Sequence, residues 1–263
     1  MSTKLIKAIL GALILINLLS SCRFSHKEKD EQISARTTME ESERDTTLNS
    51  IKGNLSFNQI NTSPNSVINT GLPDHRLVTV YKWKNKNGKD EGRSSYDQSM
   101  DYDGNEYLTR EHFMPGFDIL YGYYLINIAH YDMKSEKLNF LFDHPVLIKT
   151  LYYPSFVQDS LHKKPINRNF YLVSVYDQDT NKDTLLNRKD LRRFYLIDAT
   201  ANIKTQVIPA DYSVERSEYD SENDAMYLFA RYDADKNGSG EKNEPLHIFW
   251  ISLKNPGSAK RLY

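Results

Sequence analysis

Residues 170–183 read Phe-Tyr-Leu-Val-Ser-Val-Tyr-Asp-Gln-Asp-Thr-Asn-Lys-Asp, and residues 225–238 read Ala-Met-Tyr-Leu-Phe-Ala-Arg-Tyr-Asp-Ala-Asp-Lys-Asn-Gly. Each stretch is an apolar, aromatic-rich run that leads into an acidic loop, a pattern typical of a strand that ends in a turn. A shift of 56 residues places Tyr171-Leu172 on Tyr227-Leu228 and Tyr176-Asp177 on Tyr232-Asp233. The chain therefore contains an internal repeat built on strands.

Similar short runs recur through the C-terminal part of the chain, bounded by Asn, Asp, Gly or Pro. All 18 tyrosines lie between Tyr81 and Tyr263, and no long stretch of helical periodicity competes outside the N-terminus. These observations predict an all-β globular domain over residues 72–263, large enough to bury one core. The further runs are Leu77–Tyr81, Tyr123–Ile128, Phe194–Ile197 and Ile248–Ile251.

The repeat also indicates an architecture. Beyond the acidic loop the shift becomes 54 residues, which places Phe194–Ile197 on Ile248–Ile251 and Asp190 on Glu244. Each unit is thus a strand, an acidic loop, a closing carboxylate and a second strand, and Ile128–Phe142 resembles the end of a third unit without the loop. Such units resemble the blades of a β-propeller, which implies a small or incomplete propeller. A β-sandwich and a curved open meander are the alternatives.

The second acidic loop, residues 233–244, has oxygen-bearing side chains at every second position. It resembles the EF-hand calcium loop, with Gly238 at the sharp turn and a carboxylate at position 12. The resemblance does not extend to the helices of an EF-hand, because strands flank the loop, so a bound ion would be structural. The resemblance implies the ligands Asp233, Asp235, Asn237, Ser239 (through its carbonyl), Glu241 and Glu244.

The first acidic loop, residues 177–190, follows the pattern less closely. Position 12 is Arg188, so the repeat indicates Asp190 as the closing ligand, and Lys182 stands where the turn favours glycine. A fainter acidic cluster at residues 101–106 is interpreted as a solvated turn. The predicted ligands of the first loop are Asp177, Asp179, Asn181, Asp183 and Asp190.

The expected ion is Ca²⁺. Ordinary polar turns are the alternative, since Asp, Asn and Gly are common in turns of every kind. Clustered carboxylates are, however, costly unless a cation occupies them. Hard oxygen ligands, a single cysteine and seven histidines without a close sequence pair argue against zinc, copper or iron.

The N-terminus resembles that of a bacterial lipoprotein. Lys4 and Lys7 precede an apolar stretch that ends in Leu19-Ser20-Ser21-Cys22, which resembles the lipobox cut before a cysteine that is then lipidated. Residues 1–21 are therefore predicted to be a signal peptide and Cys22 the lipidation site. This implies an exported protein of the bacterial cell envelope, on the outer membrane if the cell is Gram-negative. An ordinary cleaved signal is the alternative.

Residues 22–71 are polar and contain only two aromatic residues, which predicts a lipidated cysteine followed by a disordered linker. Removing the two lysines of the signal peptide leaves 32 basic and 35 acidic side chains. Because no basic stripe interleaved with aromatic residues is present, nucleic acid is not an expected partner.

The sequence favours a protein that is not an enzyme. It contains no HExxH motif, no nucleophile elbow and no phosphate-binding loop. The leading hypothesis is a membrane-tethered lipoprotein in which Ca²⁺ stabilises the hairpin loops of an interaction domain. The alternatives are a glycan-binding or glycan-processing accessory protein, with a glycan as ligand, and an envelope assembly factor with a protein partner.

Overall fold

The structure is a computed structural model that describes residues 50–83, 114–122 and 125–263. The all-β prediction is confirmed, because these residues form strands and one short 3-10 helix at Phe57–Gln59. The strands are β1 (Ile51–Lys52), β2 (Thr62–Asn69), β3 (His75–Lys82), β4 (Phe117–Tyr121), β5 (Leu125–Asp132), β6 (Lys137–Phe140), β7 (Leu147–Pro154), β8 (Asp159–Leu161), β9 (Lys164–Ile166), β10 (Phe170–Tyr176), β11 (Leu185–Leu186), β12 (Arg193–Asp198), β13 (Lys204–Gln206), β14 (Tyr212–Asp220), β15 (Ala225–Tyr232), β16 (Leu246–Ser252) and β17 (Lys260–Arg261).

Most strands belong to three antiparallel sheets. The first sheet has the order β2-β3-β5-β6, the central sheet β13-β12-β10-β7-β4, and the C-terminal sheet β14-β15-β16-β17. β8 and β9 form a separate hairpin, and β1 pairs with β11. The first and C-terminal sheets contain four strands each and the central sheet contains five, so the predicted hairpin units exist as paired strands. The propeller stays a prediction.

The central sheet is buried on both faces. Along β10, Phe170 and Leu172 belong to a core shared with the C-terminal sheet, whereas Tyr171, Val173 and Val175 belong to a core shared with the first sheet. All seven residues of β10 are buried. A strand covered on both faces has no need of polar alternation, which explains the continuous apolar run in its sequence. Its side chains therefore join both cores.

The sequence alignment of the two repeat units predicts the order of their strands correctly, but it does not predict how the strands pair residue by residue. Leu172 lies opposite Leu196 in the central sheet. The sequence shifts of 56 and 54 residues would place Leu228 opposite Trp250, but Leu228 lies opposite Phe249. One strand of the second unit is thus displaced by one residue relative to the sequence alignment, and such a slip exchanges the two faces of a strand. Periodicity alone does not reveal it.

The predicted linker is wrong in its C-terminal part. Ile51 is buried and pairs with Leu186, and β2 pairs along its length with β3. This segment is polar because β2 is an edge strand with mostly exposed side chains, and backbone pairing needs no apolar residues there. The predicted signal peptide, Cys22 and the remaining linker lie outside the described residues. Among those described, no helix is long and apolar enough to cross a membrane.

A buried ion pair ties the central part of the fold to the C-terminal sheet. Arg168 follows β9, and its guanidinium donates to both carboxylate oxygens of Asp224, at 2.7 and 3.0 Å. The same guanidinium donates to the carbonyl oxygens of Pro115 and Leu253, each at 3.1 Å. Its side chain is 3% exposed and that of Asp224 is 1% exposed. Because each charge has several partners, the pair fixes the chain ends next to β4, β15 and β16.

Candidate metal centre

Three carboxylates meet where β15 ends and β16 begins. Asp233 follows β15 directly, Asp235 lies two residues further on, and Glu244 lies just before β16. Arg231 pairs with Leu246, so the two ends of the loop are held side by side. Ligand oxygens of the three acids lie within 4.8 Å of one another, and residues 50–83, 114–122 and 125–263 contain no second such group of three. The loop therefore concentrates negative charge at one point.

Asp233 carries the clearest sign of a missing partner. Its side chain is buried, with 6% of the residue exposed. Its Oδ2 accepts a hydrogen bond from the Gly238 N–H at 3.0 Å, but its buried Oδ1 has no hydrogen-bond partner. A buried, unsatisfied carboxylate oxygen costs more than a neutral acceptor would, because the desolvation of a charged group is not compensated. A cation at Oδ1 would remove that cost.

The backbone of the second loop wraps around its own side chains. Asp235 Oδ1 accepts from the Asn237 N–H at 3.0 Å, and Asn237 Oδ1 accepts from the Ser239 N–H at 2.7 Å. Gly238 has a φ of +78°, in the left-handed region that favours glycine. The alternation of oxygen-bearing residues thus produces a compact turn with the acids on one side.

Glu244 closes the loop from the opposite end. Its Oε1 accepts from the Ala234 N–H at 3.0 Å, and its Oε2 accepts from the Glu241 N–H at 2.9 Å. These bonds fix both oxygens in orientation while each keeps a further lone pair for an ion. Glu244 is 9% exposed, so two of the three grouped acids are buried.

The structure brings together some of the predicted ligands of the second loop. Asp233, Asp235 and Glu244 form the group. Asn237 adjoins it, because its amide donates to Asp235 Oδ2 at 3.1 Å and to Glu241 Oε1 at 3.2 Å. For Ser239 the contacts are those of the backbone, and its role as a carbonyl ligand stays a prediction.

The first loop has a different arrangement. Asp177 Oδ2 accepts from the Tyr195 hydroxyl at 2.6 Å, and its Oδ1 accepts from Arg193 at 3.3 Å. Asp179 accepts from the N–H groups of Asp183 and Thr184, at 3.1 and 2.9 Å. The carboxylates are thus directed at protein donors rather than at one another.

Asp190, the predicted closing ligand of the first loop, accepts hydrogen bonds that correspond to those of Glu244 in the second loop, and its role as a ligand stays a prediction. Its Oδ1 accepts from the Thr180 N–H at 2.7 Å, and its Oδ2 accepts from the Asn187 N–H at 2.9 Å. Burial raises the pKa of Asp190, and these backbone hydrogen bonds lower it in part. Asn181 Oδ1 accepts from the Asp183 N–H at 3.1 Å, as Asn237 Oδ1 accepts from the Ser239 N–H in the second loop, so the two loops differ chiefly at Asp177 and Asp233.

The neighbouring strand explains the difference between the two loops. The strand register places Arg193 opposite Val175 and Tyr195 opposite Val173. The corresponding residues of β15, Arg231 and Phe229, lie opposite Leu246 and Ile248, whose side chains cannot donate a hydrogen bond. Asp233 therefore lacks the two donors that satisfy Asp177. This contrast depends on the strand register, which the sequence alignment places one residue away.

The two loops are docked on each other. The Thr180 hydroxyl donates to the Gly238 carbonyl at 2.6 Å, and Asp190 forms a single antiparallel bridge with Ser239. A Cβ at position 238 would lie 2.0 Å from the Thr180 carbonyl oxygen, so only glycine permits this approach. Thr180 was not among the predicted site residues, because a threonine in a polar loop carries no sequence signal of a contact across the repeat.

The acidic cluster at residues 101–106 and the predicted lipidation site Cys22 lie outside the described residues. No protein-family model matches the chain, and no curated protein matches it. Within the described residues, the fold and the site define an all-β protein with one group of three carboxylates, in which the buried Oδ1 of Asp233 has no hydrogen-bond partner. Its function is therefore inferred from its own residues.

Proposed function

We propose that the second loop binds one Ca²⁺, and that the ion is a structural part of an exported lipoprotein domain. The observation that carries this is the buried Oδ1 of Asp233, which has no partner although two further carboxylates lie beside it. Two oxygens on opposite sides of one Ca²⁺ are about 4.6–5.2 Å apart, a spacing compatible with this group.

The chemistry of the donors favours Ca²⁺ over transition metals and over Mg²⁺. All candidate ligands are oxygens, which suit hard cations. The loop offers several of them on an exposed turn, and Ca²⁺ accepts six to eight oxygens in flexible geometry, whereas Mg²⁺ needs a strict octahedron and keeps several waters. Strands flank the loop on both sides, so the ion would pin a hairpin rather than open a pair of helices.

The repeat supplies a matched pair of variants that tests the calcium proposal. Asp235 in the second loop and Asp179 in the first occupy equivalent positions. In the unmutated chain, Ca²⁺ at about ten times its dissociation constant contributes roughly 1.4 kcal/mol, which raises the melting temperature by about 3–6 °C. Asp235→Asn is expected to abolish most of this rise.

Asp179→Asn is the control, because the carboxylate of Asp179 accepts hydrogen bonds from backbone N–H groups of the first loop. The Asp179→Asn variant is expected to show the full rise in melting temperature with Ca²⁺, even if its melting temperature without Ca²⁺ differs from that of the unmutated chain. Thermal unfolding monitored by circular dichroism, with Ca²⁺, Mg²⁺ or chelator, gives the result. A melting temperature that is the same with Ca²⁺ and with chelator in the unmutated chain would refute the calcium site.

The proposed location rests on the sequence Leu19-Ser20-Ser21-Cys22 and on the absence of any other cysteine in the chain. Two or three acyl chains on one residue would hold the protein firmly on a membrane. Cys22→Ser is expected to move the protein from the membrane fraction to the soluble fraction and to prevent labelling by a radioactive fatty acid. A Cys22→Ser protein that stays in the membrane fraction would contradict the lipid anchor. Among residues 50–83, 114–122 and 125–263, no specific contact favours a bound glycan or a protein partner.

A further inference from the structure

Two histidines meet at the interface between the first sheet and the central sheet. His130 on β5 lies opposite Leu77 of β3, and His75 begins β3, so the two are diagonal neighbours on one face of the sheet. Their rings are stacked, with centroids 4.9 Å apart and planes at 29°. Tyr171 of β10 meets the His130 ring edge-on, with centroids 6.1 Å apart. The histidine pair therefore contacts the central sheet through Tyr171.

This interface suits an uncharged His130 ring better than a charged one. His130 is 1% exposed, and neither of its ring nitrogens has a partner at hydrogen-bond geometry among the described residues. The Tyr171 hydroxyl is also buried without a partner there. Protonation of an imidazole adds a second N–H donor and a full positive charge, and both are costly where burial removes water. The charged form of His130 is therefore disfavoured while the two sheets are packed together.

The charges around His130 do not reverse this preference. Burial lowers the pKa of His130, and the adjacent His75 lowers it further. The Ala199 carbonyl and the negative charges of Asp132 and Asp198 raise the same pKa, but they offset only part of the decrease. Both carboxylates accept hydrogen bonds from backbone N–H groups of their own turns. In the packed interface, His130 thus stays uncharged to a lower pH than an ordinary histidine does.

The direction of the pH effect follows from this difference. A group whose pKa is lower in the packed state than in an open state binds protons preferentially in the open state. The stabilising effect of an uncharged His130 is therefore complete above the ordinary histidine pKa of about 6.5, and it is lost as the pH falls below that value. Acidification thus favours separation of the first sheet from the central sheet.

We propose that the stacked pair His75–His130 is a pH-sensitive switch, which keeps the first sheet packed on the central sheet at neutral pH and releases it in acid. A positive charge on both rings would add repulsion between centroids only 4.9 Å apart. Release would expose Leu77 and Ile128, which are fully buried in the core between these two sheets. The switch therefore presents an apolar surface only in acid. The proposal rests neither on calcium binding nor on the lipid anchor.

Amide hydrogen exchange of the full chain tests the switch, with His130→Leu as the variant and His162→Asn as the control. His162 is exposed in the turn between β8 and β9, and its φ of +51° is a conformation that asparagine tolerates. From about pH 7.5 to about pH 5.5, the protection of β3 and β5, corrected for intrinsic exchange rates, is expected to fall about three- to tenfold in the unmutated chain and in His162→Asn. In His130→Leu it is expected to fall less than about twofold, because leucine does not titrate.

The location of the effect separates a local switch from general acid destabilisation. Strands β15 and β16 contribute to the core shared with the C-terminal sheet and not to the core between the first and central sheets. They are therefore expected to keep their protection over the same pH range. A loss of protection that is equal in His130→Leu and the unmutated chain, or as large in β15 and β16 as in β3 and β5, would overturn the proposal.

A second measurement does not depend on how well a variant folds. A nuclear magnetic resonance titration of the unmutated chain follows the ring signals of His130 and His162, with the variants used only to assign them. The His130 ring is expected to titrate at a lower pH than the exposed His162 ring, or only when the first sheet is released. A His130 midpoint at or above that of His162 would overturn the proposal.

Discussion

Thr180 is the residue that joins the two acidic loops. Its hydroxyl donates to the Gly238 carbonyl at 2.6 Å and accepts from the Leu191 N–H at 2.8 Å. Thr180→Val keeps the shape but removes both bonds, so the second loop loses an anchor that organises it before the ion binds. We expect about a three- to tenfold weaker Ca²⁺ affinity in Thr180→Val, measured by calorimetric titration.

Thr180→Ser is the matched control, because serine keeps the hydroxyl and is expected to retain nearly the full Ca²⁺ affinity. If Thr180→Val binds Ca²⁺ as tightly as Thr180→Ser, the contact between the loops has no role in organising the site.

At the same scale, the sequence predicts the grouped acids but not their partners. Asp233, Asp235 and Glu244 follow from the spacing of oxygen ligands, which depends only on local chain geometry. The same spacing predicted Asp177 as a ligand, yet its carboxylate is bound by Arg193 and Tyr195. Those donors lie on the next strand, so their position depends on pairing that a loop motif does not encode.

Among the elements, the connection between the central part of the fold and the C-terminal sheet depends on Arg168 and Asp224. Asp224→Asn leaves a buried guanidinium without its counter-charge, which is expected to lower the free energy of unfolding by about 3–5 kcal/mol. The double variant Arg168→Met/Asp224→Leu removes both charges and is expected to be more stable than Asp224→Asn. Urea unfolding, with the slope compared between variants, measures both changes.

The surface pair Lys134–Asp74 is the control for this prediction. Its atoms approach to 2.6 Å, but the lysine side chain is 75% exposed, so water screens the interaction. Asp74→Asn is expected to change stability far less than Asp224→Asn. Equal effects of the two substitutions would show that the buried pair does not hold the elements together.

The elements themselves were largely predictable and their register was not. Aromatic runs such as Phe170–Tyr176 identify strands because apolar side chains must be buried. β2 was missed because an edge strand needs no apolar pattern, and its backbone is stabilised by pairing with β3. The one-residue displacement between the two repeat units is a difference in strand register, which an alignment of the sequence with itself does not contain.

At the scale of the whole molecule, an all-β domain carries two docked acidic loops, and the second of them is the proposed site of one structural Ca²⁺. The first loop uses its carboxylates on protein donors and supports the second through Thr180 and Asp190. If the second loop binds Ca²⁺ as proposed, the repeat in sequence corresponds to a division of roles, in which one loop holds the ion and the other supports it.

The number of calcium ions per chain tests this central claim most directly. Isothermal titration of the full chain with Ca²⁺ is expected to show one bound ion, and Asp233→Asn is expected to abolish it, because Asp233 supplies the unpartnered buried oxygen. A stoichiometry of two would contradict the account by showing that the first loop also binds. A stoichiometry of zero would contradict the calcium site itself.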